Sequence, residues 1–326
     1  MSARLRVVLL VAGLAVLAGV VVAGAAVLSA DEVAGPDAPV EEARPREGAP
    51  TLILDLGIRD DPEARDLRRA ADLYRLDRNR EAAVLFARHD SLEAKLGVAF
   101  AAWPESLDRV EQLAALYPRS ALAQLHVGLA RFWAGEPGAI TAWREARDVE
   151  PDTLYAVRAN DLLHPEFAPG LPVLVPSAPF PAALELKKPE RQLEILRQGA
   201  EDVSFNGPAG LSWKLLYGTA LQRLGRPVSA QRVFDEAARE YPDDPEALVA
   251  GAIGRYTKER PAAAFSRLGP LTRRFPSAAT VRFHLGLLLL WQRDVAEAKR
   301  QLRLAMTAEP GSRTAREAKR YLEALP

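Results

Sequence analysis

The 326-residue chain contains no cysteine and only four histidines. A disulfide framework, a thiolate nucleophile and a cysteine-based zinc site are therefore excluded. No two histidines stand at the spacing of metal ligands, and the sequence has no HExxH, GxSxG, GxGxxG or phosphate-binding-loop motif. We therefore predict a protein without catalytic residues, cofactor or metal.

Net charge is also absent, because 43 Lys and Arg residues balance 43 Asp and Glu residues. Proteins that bind nucleic acid usually present a basic surface that neutralises phosphates, so this balance argues against that role. The hydrophobic content of 48% is ordinary for a folded protein. The length is enough for one extended domain or two compact ones.

The first 30 residues have the pattern of a targeting segment. Arg4 and Arg6 precede an uncharged run whose apolar part, residues 7–28, would be about 33 Å long as a helix. That length spans the hydrocarbon layer of a membrane, whereas a cleaved signal has a shorter apolar run. We predict a single-pass signal anchor; small residues at 23–26 leave open cleavage and secretion. The N-terminal basic flank predicts a cytoplasmic N-terminus and an extracytoplasmic C-terminal domain.

A fixed period marks the last third of the chain. Pro242, Pro276 and Pro310 each stand 34 residues after the one before. Small and large residues precede the first and third prolines at matching steps, and a looser version precedes the second. The two matching sets are Gly218, Ala230, Phe234 and Ala237, and Gly286, Ala298, Leu302 and Ala305.

This spacing predicts pairs of antiparallel helices. Two helices approach closely only where small side chains meet, and a large residue one turn along fills the space beside them. The proline then ends the second helix. Asp243 or Asp244 is expected to cap the next helix, and Ser277 to do the same one repeat later. Pro270 is expected to kink or shorten the second helix of the middle repeat.

The 34-residue period and the small–large–small–proline spacing resemble the tetratricopeptide repeat family over residues 211–312. The resemblance implies an all-α solenoid, a superhelix of helix pairs whose first helices line a concave face. It also implies a protein or peptide partner. Upstream of residue 152 the same pattern recurs in weaker form, as in Gly128, Ala139, Trp143, Ala146 and Pro151.

These patterns divide the chain into six parts. The predicted parts are a signal anchor or transmembrane helix (1–30), a flexible linker rich in proline and acidic residues (31–50), a degenerate repeat array (51–151), a proline-rich irregular insertion with a helix (152–210), three repeats (211–312) and a capping helix (313–326). The apolar run at residues 51–58 is interpreted as a strand-like lead-in or a first packing contact.

The concave face is the candidate site. By spacing, the resemblance implies a partner groove lined by mostly apolar residues, which fits an amphipathic helix or an extended segment. The alternative is that the superhelix itself, or the proline-rich residues 164–182, buries these side chains. The predicted groove residues are Leu215, Thr219, Gln222, Val249, Ile253, Tyr256, Phe283, Leu287 and Leu290.

We therefore expect an interaction scaffold anchored in the membrane, with its helical domain outside the cytoplasm and a partner in an envelope assembly or secretion complex. One alternative is a structural component that self-associates through its apolar faces. Another is a cell-envelope hydrolase with carboxylate chemistry, but the sequence shows no pair of acidic residues in an evident pocket.

Overall fold

The computed structural model describes residues 45–202, 204–205 and 207–325, and every regular element within them is a helix. This confirms the all-α fold for that part of the chain. We call residues 45–163 the N-terminal module; its helices are α1 (Pro62–Arg75), α2 (Asn79–Phe86), α3 (Leu92–Ala101), α4 (Leu107–Leu116), α5 (Ala121–Ala134), α6 (Ala139–Val149) and α7 (Leu154–Leu163). We call residues 164–325 the C-terminal module; its helices are α8 (Ala182–Glu185), α9 (Pro189–Glu201), α10 (Gly207–Arg223), α11 (Pro227–Glu240), α12 (Pro245–Ile253), α13 (Ala262–Arg274), α14 (Ala279–Trp291), α15 (Val295–Ala308) and α16 (Arg313–Ala324).

The predicted membrane anchor at residues 7–28 and most of the predicted linker lie outside the described residues. Among the helices that the structure describes, none is both long enough and apolar enough to cross a membrane. The anchor therefore stays a prediction.

Polar side chains begin several helices, and most lie where the sequence places them. Asp61 caps α1. Of the two aspartates predicted for α12, Asp244 is the cap, and it accepts the backbone N–H of Ala247 at 3.0 Å. The prediction for Ser277 is wrong, because α14 starts one residue later, after Ala278, and has no side-chain cap.

Each module contains three helix pairs and a closing helix, and the C-terminal module also has α8 and α9 before its first pair. The pairs are α1–α2, α3–α4 and α5–α6 before α7, and α10–α11, α12–α13 and α14–α15 before α16, with consecutive helices in contact. The predicted small–large contacts hold the pairs together. A Cβ atom added to Gly218 would lie 2.3 Å from the ring of Phe234, so only glycine fits there. The other such contacts within pairs are Gly128 with Trp143 and Gly286 with Leu302, while Gly97 of α3 contacts Phe86 of α2 in the preceding pair.

The proline-rich middle of the chain divides between the modules. Helix α7 packs on α5 and α6, so it closes the N-terminal module. Residues 164–181 contain no helix, as their prolines predict. Pro270 lies inside α13, which runs for 13 residues, so the expectation of a shortened helix is wrong.

Two extended segments, one in each module, lie across the first helices of the helix pairs. We call residues 46–55 the N-terminal strap and residues 168–177 the C-terminal strap. Leu52 of the first joins the core of α1–α7, and Leu174 of the second joins the core of α10–α14. The predicted packing contact of the apolar run at residues 51–58 is therefore observed, without regular strand structure.

Buried polar contacts join the modules. The carboxylate of Asp152, just before α7, accepts the N–H groups of Val228 and Ser229 at 2.8 and 3.0 Å, so a residue of one module caps a helix of the other. Further along, the Lys258 ammonium lies 2.7 Å from the Asp161 carboxylate, and both side chains are almost fully buried. Asp161 also accepts the N–H of Gly170 at 2.8 Å, which fixes the start of the C-terminal strap.

Candidate binding grooves

The N-terminal strap is held at two points by helix α5. The N–H of Arg46 donates to the carbonyl oxygen of Trp133 at 2.7 Å, near the end of that helix. Its guanidinium lies 3.6 Å from the ring centre of Phe132, within cation–π range. Seven residues later, the N–H of Ile53 donates to Nε2 of His126 at 3.1 Å. The strap therefore runs antiparallel to α5.

The C-terminal strap is held by α14 in the same way. The N–H of Ala168 donates to the carbonyl oxygen of Trp291 at 3.2 Å. Seven residues later, the N–H of Val175 donates to Nε2 of His284 at 3.0 Å. Both ends of the strap thus have counterparts in the other module.

Proline and leucine side chains of both straps point into the grooves. Pro50 and Leu52 are buried while Thr51 between them is exposed, which is the alternation of extended backbone. Pro172 and Leu174 are buried in the same positions. Burying a leucine side chain contributes roughly 1.5–3 kcal/mol, so each strap adds to the stability of its module.

Side chains of the first pairs bind the strap carbonyl groups. The hydroxyl of Tyr74 donates to the carbonyl oxygen of Pro50 at 2.7 Å. In the other module, Gln222 donates from Nε2 to the carbonyl oxygen of Pro172 at 3.3 Å and accepts the N–H of Leu174 at 2.8 Å. An amide side chain can do both because it carries a donor and an acceptor. The backbone of an extended segment is thus recognised as in a sheet, without a partner strand.

The two histidines act as neutral acceptors. Nδ1 of His126 lies 2.7 Å from the carbonyl oxygen of Leu122, and Nδ1 of His284 lies 2.7 Å from that of Thr280. The proton must be on Nδ1 to make these bonds, which leaves Nε2 as the acceptor for the strap. Burial lowers the pKa of each histidine to about 4. Near neutral pH both grooves therefore offer an uncharged acceptor.

Seven of the nine predicted groove residues are buried, and the other two are half-buried. Thr219 and Gln222 bond to the backbone of the C-terminal strap. Both of the burying alternatives that the sequence leaves open contribute, because these residues lie in cores formed by the helices to which Leu174 and Val175 of the proline-rich segment are added. The role in partner binding stays a prediction. Buried are Leu215, Thr219, Val249, Ile253, Tyr256, Phe283 and Leu287; half-buried are Gln222 and Leu290.

A family comparison identifies the helix pairs. Residues 212–253, from α10 through α12, match the family model of the tetratricopeptide repeat. The protein contains a tetratricopeptide repeat. No curated protein matches the chain. The predicted resemblance is confirmed for this stretch, and the pairs α5–α6 and α14–α15 show the same small–large contact between their helices.

Sequence reasoning missed the function of the histidines, although a signal for it exists. His126 and His284 each lie on the first helix of a third pair, two residues before a glycine. Each begins the same eight-residue pattern, His-x-Gly-Leu-x-x-x-Trp, in HVGLARFW and HLGLLLLW. The histidine and the tryptophan of this pattern are the two residues of the tetratricopeptide-like third pair that hold the strap. A comparison of the chain with itself would have found them.

A polar cavity of about 280 Å³ lies where the N-terminal strap ends. Burial raises the pKa of Asp55, while the neighbouring Arg226, 3.4 Å away, opposes that rise. The hydroxyl oxygen of Tyr155 accepts the backbone N–H of Asp55 at 2.9 Å. Within the described residues, no group of three or more His, Asp or Glu is placed to hold a metal ion. The lining residues are Asp55, Leu92, Glu93, Ser120, Leu122, Glu150, Thr153, Tyr155 and Arg226.

Proposed function

We propose that the protein is an extracytoplasmic scaffold, anchored in the membrane by residues 7–28, that holds a protein or peptide partner of an envelope assembly or secretion complex. The tetratricopeptide repeat supports the coarser part, since this fold serves protein–protein interaction. The membrane location is supported by the length of the apolar run and by the arginines before it. An all-helical repeat fold of this kind is also typically non-enzymatic.

The observation that carries the proposal is a groove that binds an extended segment mainly through backbone hydrogen bonds. Such bonds accept many sequences, while buried pockets select particular side chains. In the C-terminal module, Val175 packs against the core cluster that contains Phe283 and Leu287, which are among the predicted partner residues. Glu246 accepts the strap N–H of Ser177 at the rim. A partner segment seated there in place of the strap would meet the same groups.

Photo-crosslinking in living cells tests the partner site. A photo-crosslinking amino acid at position 290, half-buried beside the strap, should capture a partner protein. The matched control is position 304 on α15, where Leu304 is 42% exposed. Capture at 290 that disappears in the His284→Phe variant supports the proposal. Equal capture at both positions, or capture that is independent of His284, contradicts it.

Reporter fusions test the topology separately. An enzyme that is active only outside the cytoplasm, fused after Pro326, should be active. A mature N-terminus near residue 26 or 31 would instead show that the segment is a cleaved signal. Activity of a cytoplasmic reporter at the same position would contradict the proposed orientation.

The hydrolase alternative would have its acid in the cavity beside Asp55, where two of the three lining carboxylates already have partners. Asp55 faces Arg226, and Glu150 accepts the N–H of Ala121 at 2.7 Å at the start of α5. Turnover of a cell-wall substrate that is lost in Asp55→Asn would favour this alternative. Self-association is separated from partner binding by sedimentation velocity of residues 45–326.

A further inference from the structure

The two straps share a sequence pattern as well as a geometry. Residues 48–53 read GAPTLI and residues 170–175 read GLPVLV, which together give Gly-x-Pro-x-Leu-(Ile/Val). In both modules the proline and the leucine of this pattern are buried, and the last residue donates its N–H to a histidine. In each strap, the two residues whose N–H groups bond to the third helix pair stand seven residues apart, and the pattern ends at the second of them. Each strap precedes the first helix pair of its module.

Physical requirements account for each fixed position. Gly48 and Gly170 have φ angles of +81° and +75°, the left-handed region that favours glycine, and a Cβ atom there would meet nothing within 4 Å. The backbone angle, not crowding, therefore selects glycine. The proline and leucine fill the groove, and proline restricts the backbone to extended conformations in advance.

The last position must supply an N–H group. A neutral buried Nε2 atom without a donor would lose its hydrogen bond in an environment that water does not reach. His126 and His284 are both fully buried, so the strap N–H is what satisfies each of them. A branched aliphatic residue favours extended backbone at that point. Proline is excluded there because it has no N–H.

We propose that the concave faces of both modules are binding grooves of one specificity, for an extended Gly-x-Pro-x-Leu-(Ile/Val) segment, and that the straps are their resident ligands. His126 and His284 are the specificity-determining residues. A partner of the protein carries a segment of this class, which displaces a strap from its groove. This inference rests on the proposed function only for the existence of such a partner; the specificity of the grooves stands without it.

A tethered strap competes strongly with a free segment. A ligand on a short linker has an effective concentration on the order of millimolar, so a free peptide binds measurably only when the strap is weakened. The peptide experiment therefore uses the Leu174→Asp variant of the full chain. A carboxylate at this position cannot stay in an apolar groove, so the strap should leave.

The first experiment gives residues 48–53 of the N-terminal strap the sequence of residues 170–175 of the C-terminal strap. Ala49→Leu, Thr51→Val and Ile53→Val together give the N-terminal strap the C-terminal pattern. If the grooves share one specificity, this chain should melt within about 3 °C of the wild type. Two proline variants serve as matched controls. Ile53→Pro removes the N–H that His126 accepts, whereas Thr51→Pro introduces the same residue at an exposed position. An exchanged chain that melts as low as Ile53→Pro overturns the proposal.

The second experiment supplies one strap to the other groove. A fluorescent peptide with the sequence of residues 45–56 should bind Leu174→Asp at least tenfold more tightly than it binds the wild type, as measured by anisotropy. The same peptide with Leu52→Asp should lose this binding. If Leu174→Asp alone is unfolded, circular dichroism should show that the peptide restores the helices. Equal binding to both chains, binding that survives Leu52→Asp, or no recovery overturns the proposal.

A double-mutant cycle isolates the histidine contact. Methylation of the Ile53 amide nitrogen in the peptide should weaken binding to Leu174→Asp about tenfold, and adding His284→Phe should remove most of that penalty. A penalty that is unchanged by His284→Phe shows that His284 does not read the N–H group. Failure of the photo-crosslinking experiment would not alter these results, because they use the purified chain and a known peptide.

Discussion

The N-terminal strap and the C-terminal strap are held by the same two hydrogen bonds, but they are enclosed to different degrees. Leu174 is fully buried, whereas Leu52 keeps 8% of its surface exposed. The C-terminal strap has further bonds to Gln222 and Glu246, and the N-terminal strap has further bonds to Tyr74 and Tyr155. The N-terminal strap ends at the polar cavity beside Asp55. The shared bonds therefore set the position of a strap, and the surrounding contacts set how firmly it is held.

This difference points to the N-terminal groove as the one that is easier to open. Its strap begins within the predicted linker, and one of its ends lies beside a cavity rather than against packed side chains. The C-terminal strap is fixed at its start by Asp161, which also bonds to Lys258. Release of the C-terminal strap would therefore disturb the buried Asp161–Lys258 contact between the modules, while release of the N-terminal strap would remove the more exposed Asp55–Arg226 pair.

Acid should have the largest effect and should act on both modules alike. The pKa of each buried histidine is about 4, against 6.5 in the unfolded chain, so the unfolded chain takes up each proton first. Stability from this source is complete above pH 6.5 and is lost as the pH falls from 6.5 to 4. The loss is about 3 kcal/mol for each histidine.

Urea unfolding at a series of pH values measures this loss. His126→Phe and His284→Phe each keep an aromatic ring beside Phe100 or Phe283 but cannot take up a proton. Each variant should lose about half of the pH dependence between 6.5 and 4. A steeper loss of pH dependence in one of them would show that the modules do not titrate alike.

The next largest loss of stability is expected from breaking the buried contact between the modules. Lys258→Met leaves the Asp161 carboxylate buried without its closest cation, although Arg158 at 3.2 Å and the N–H of Gly170 remain. We expect a loss of about 3 kcal/mol in the free energy of unfolding, at the lower end for a broken buried pair. The exposed control Lys319→Met should change it by less than about 0.5 kcal/mol. A loss below 1 kcal/mol for Lys258→Met would mean that the pair adds little.

The strap leucines compare the two grooves directly. Leu174→Ala removes a fully buried side chain and should cost about 3 kcal/mol, and Leu52→Ala should cost about 2 kcal/mol because its site is less enclosed. Leu186→Ala, at a position that is 92% exposed, is the control and should have almost no effect. Chemical denaturation with a helix signal measures all three. The reverse order for the two leucines would contradict the difference in enclosure.

Local rules predicted the helix pairs because each pair depends on contacts close in sequence. The step from Gly218 to Phe234, the cap at Asp244 and the end of α11 before Pro242 are all consequences of neighbouring residues. The closing helix after Ser312 follows from the same kind of signal. The tetratricopeptide period made these positions recognisable.

The straps could not be predicted in this way because their contacts are distant in sequence. Ile53 meets His126 across 73 residues, and Val175 meets His284 across 109 residues. Nothing near the histidines specifies a partner, and the straps lack a helical or strand period. Only the repetition of both patterns connects them, because Gly-x-Pro-x-Leu occurs once before each His-x-Gly-Leu. The sequence therefore left open whether the predicted groove residues are buried, and contacts distant in sequence decide it.

The smallest change in stability is expected when the third helix pairs of the two modules are compared by replacing their glycines. In α5, a Cβ atom at Gly128 would lie 2.4 Å from the Trp143 ring, which is rigid and buried. In α14, a Cβ atom at Gly286 would lie 3.0 Å from the Leu302 side chain, which can move by a few tenths of an ångström. Replacing a helical glycine by alanine also favours the helix by about 1 kcal/mol, which offsets part of any crowding.

We therefore expect Gly128→Ala to destabilise the protein by about 1–2 kcal/mol and Gly286→Ala to change its stability by less than about 0.5 kcal/mol. Thermal unfolding of both variants and of the wild type measures the difference. Since both glycines follow their histidine by two residues, crowding at Gly128 would also shift the α5 backbone that carries His126. The N-terminal strap should then bind less well, and protease sensitivity near residue 50 should rise in Gly128→Ala but not in Gly286→Ala. If both variants behave alike, the side chain opposite the glycine does not set the tolerance of the pair.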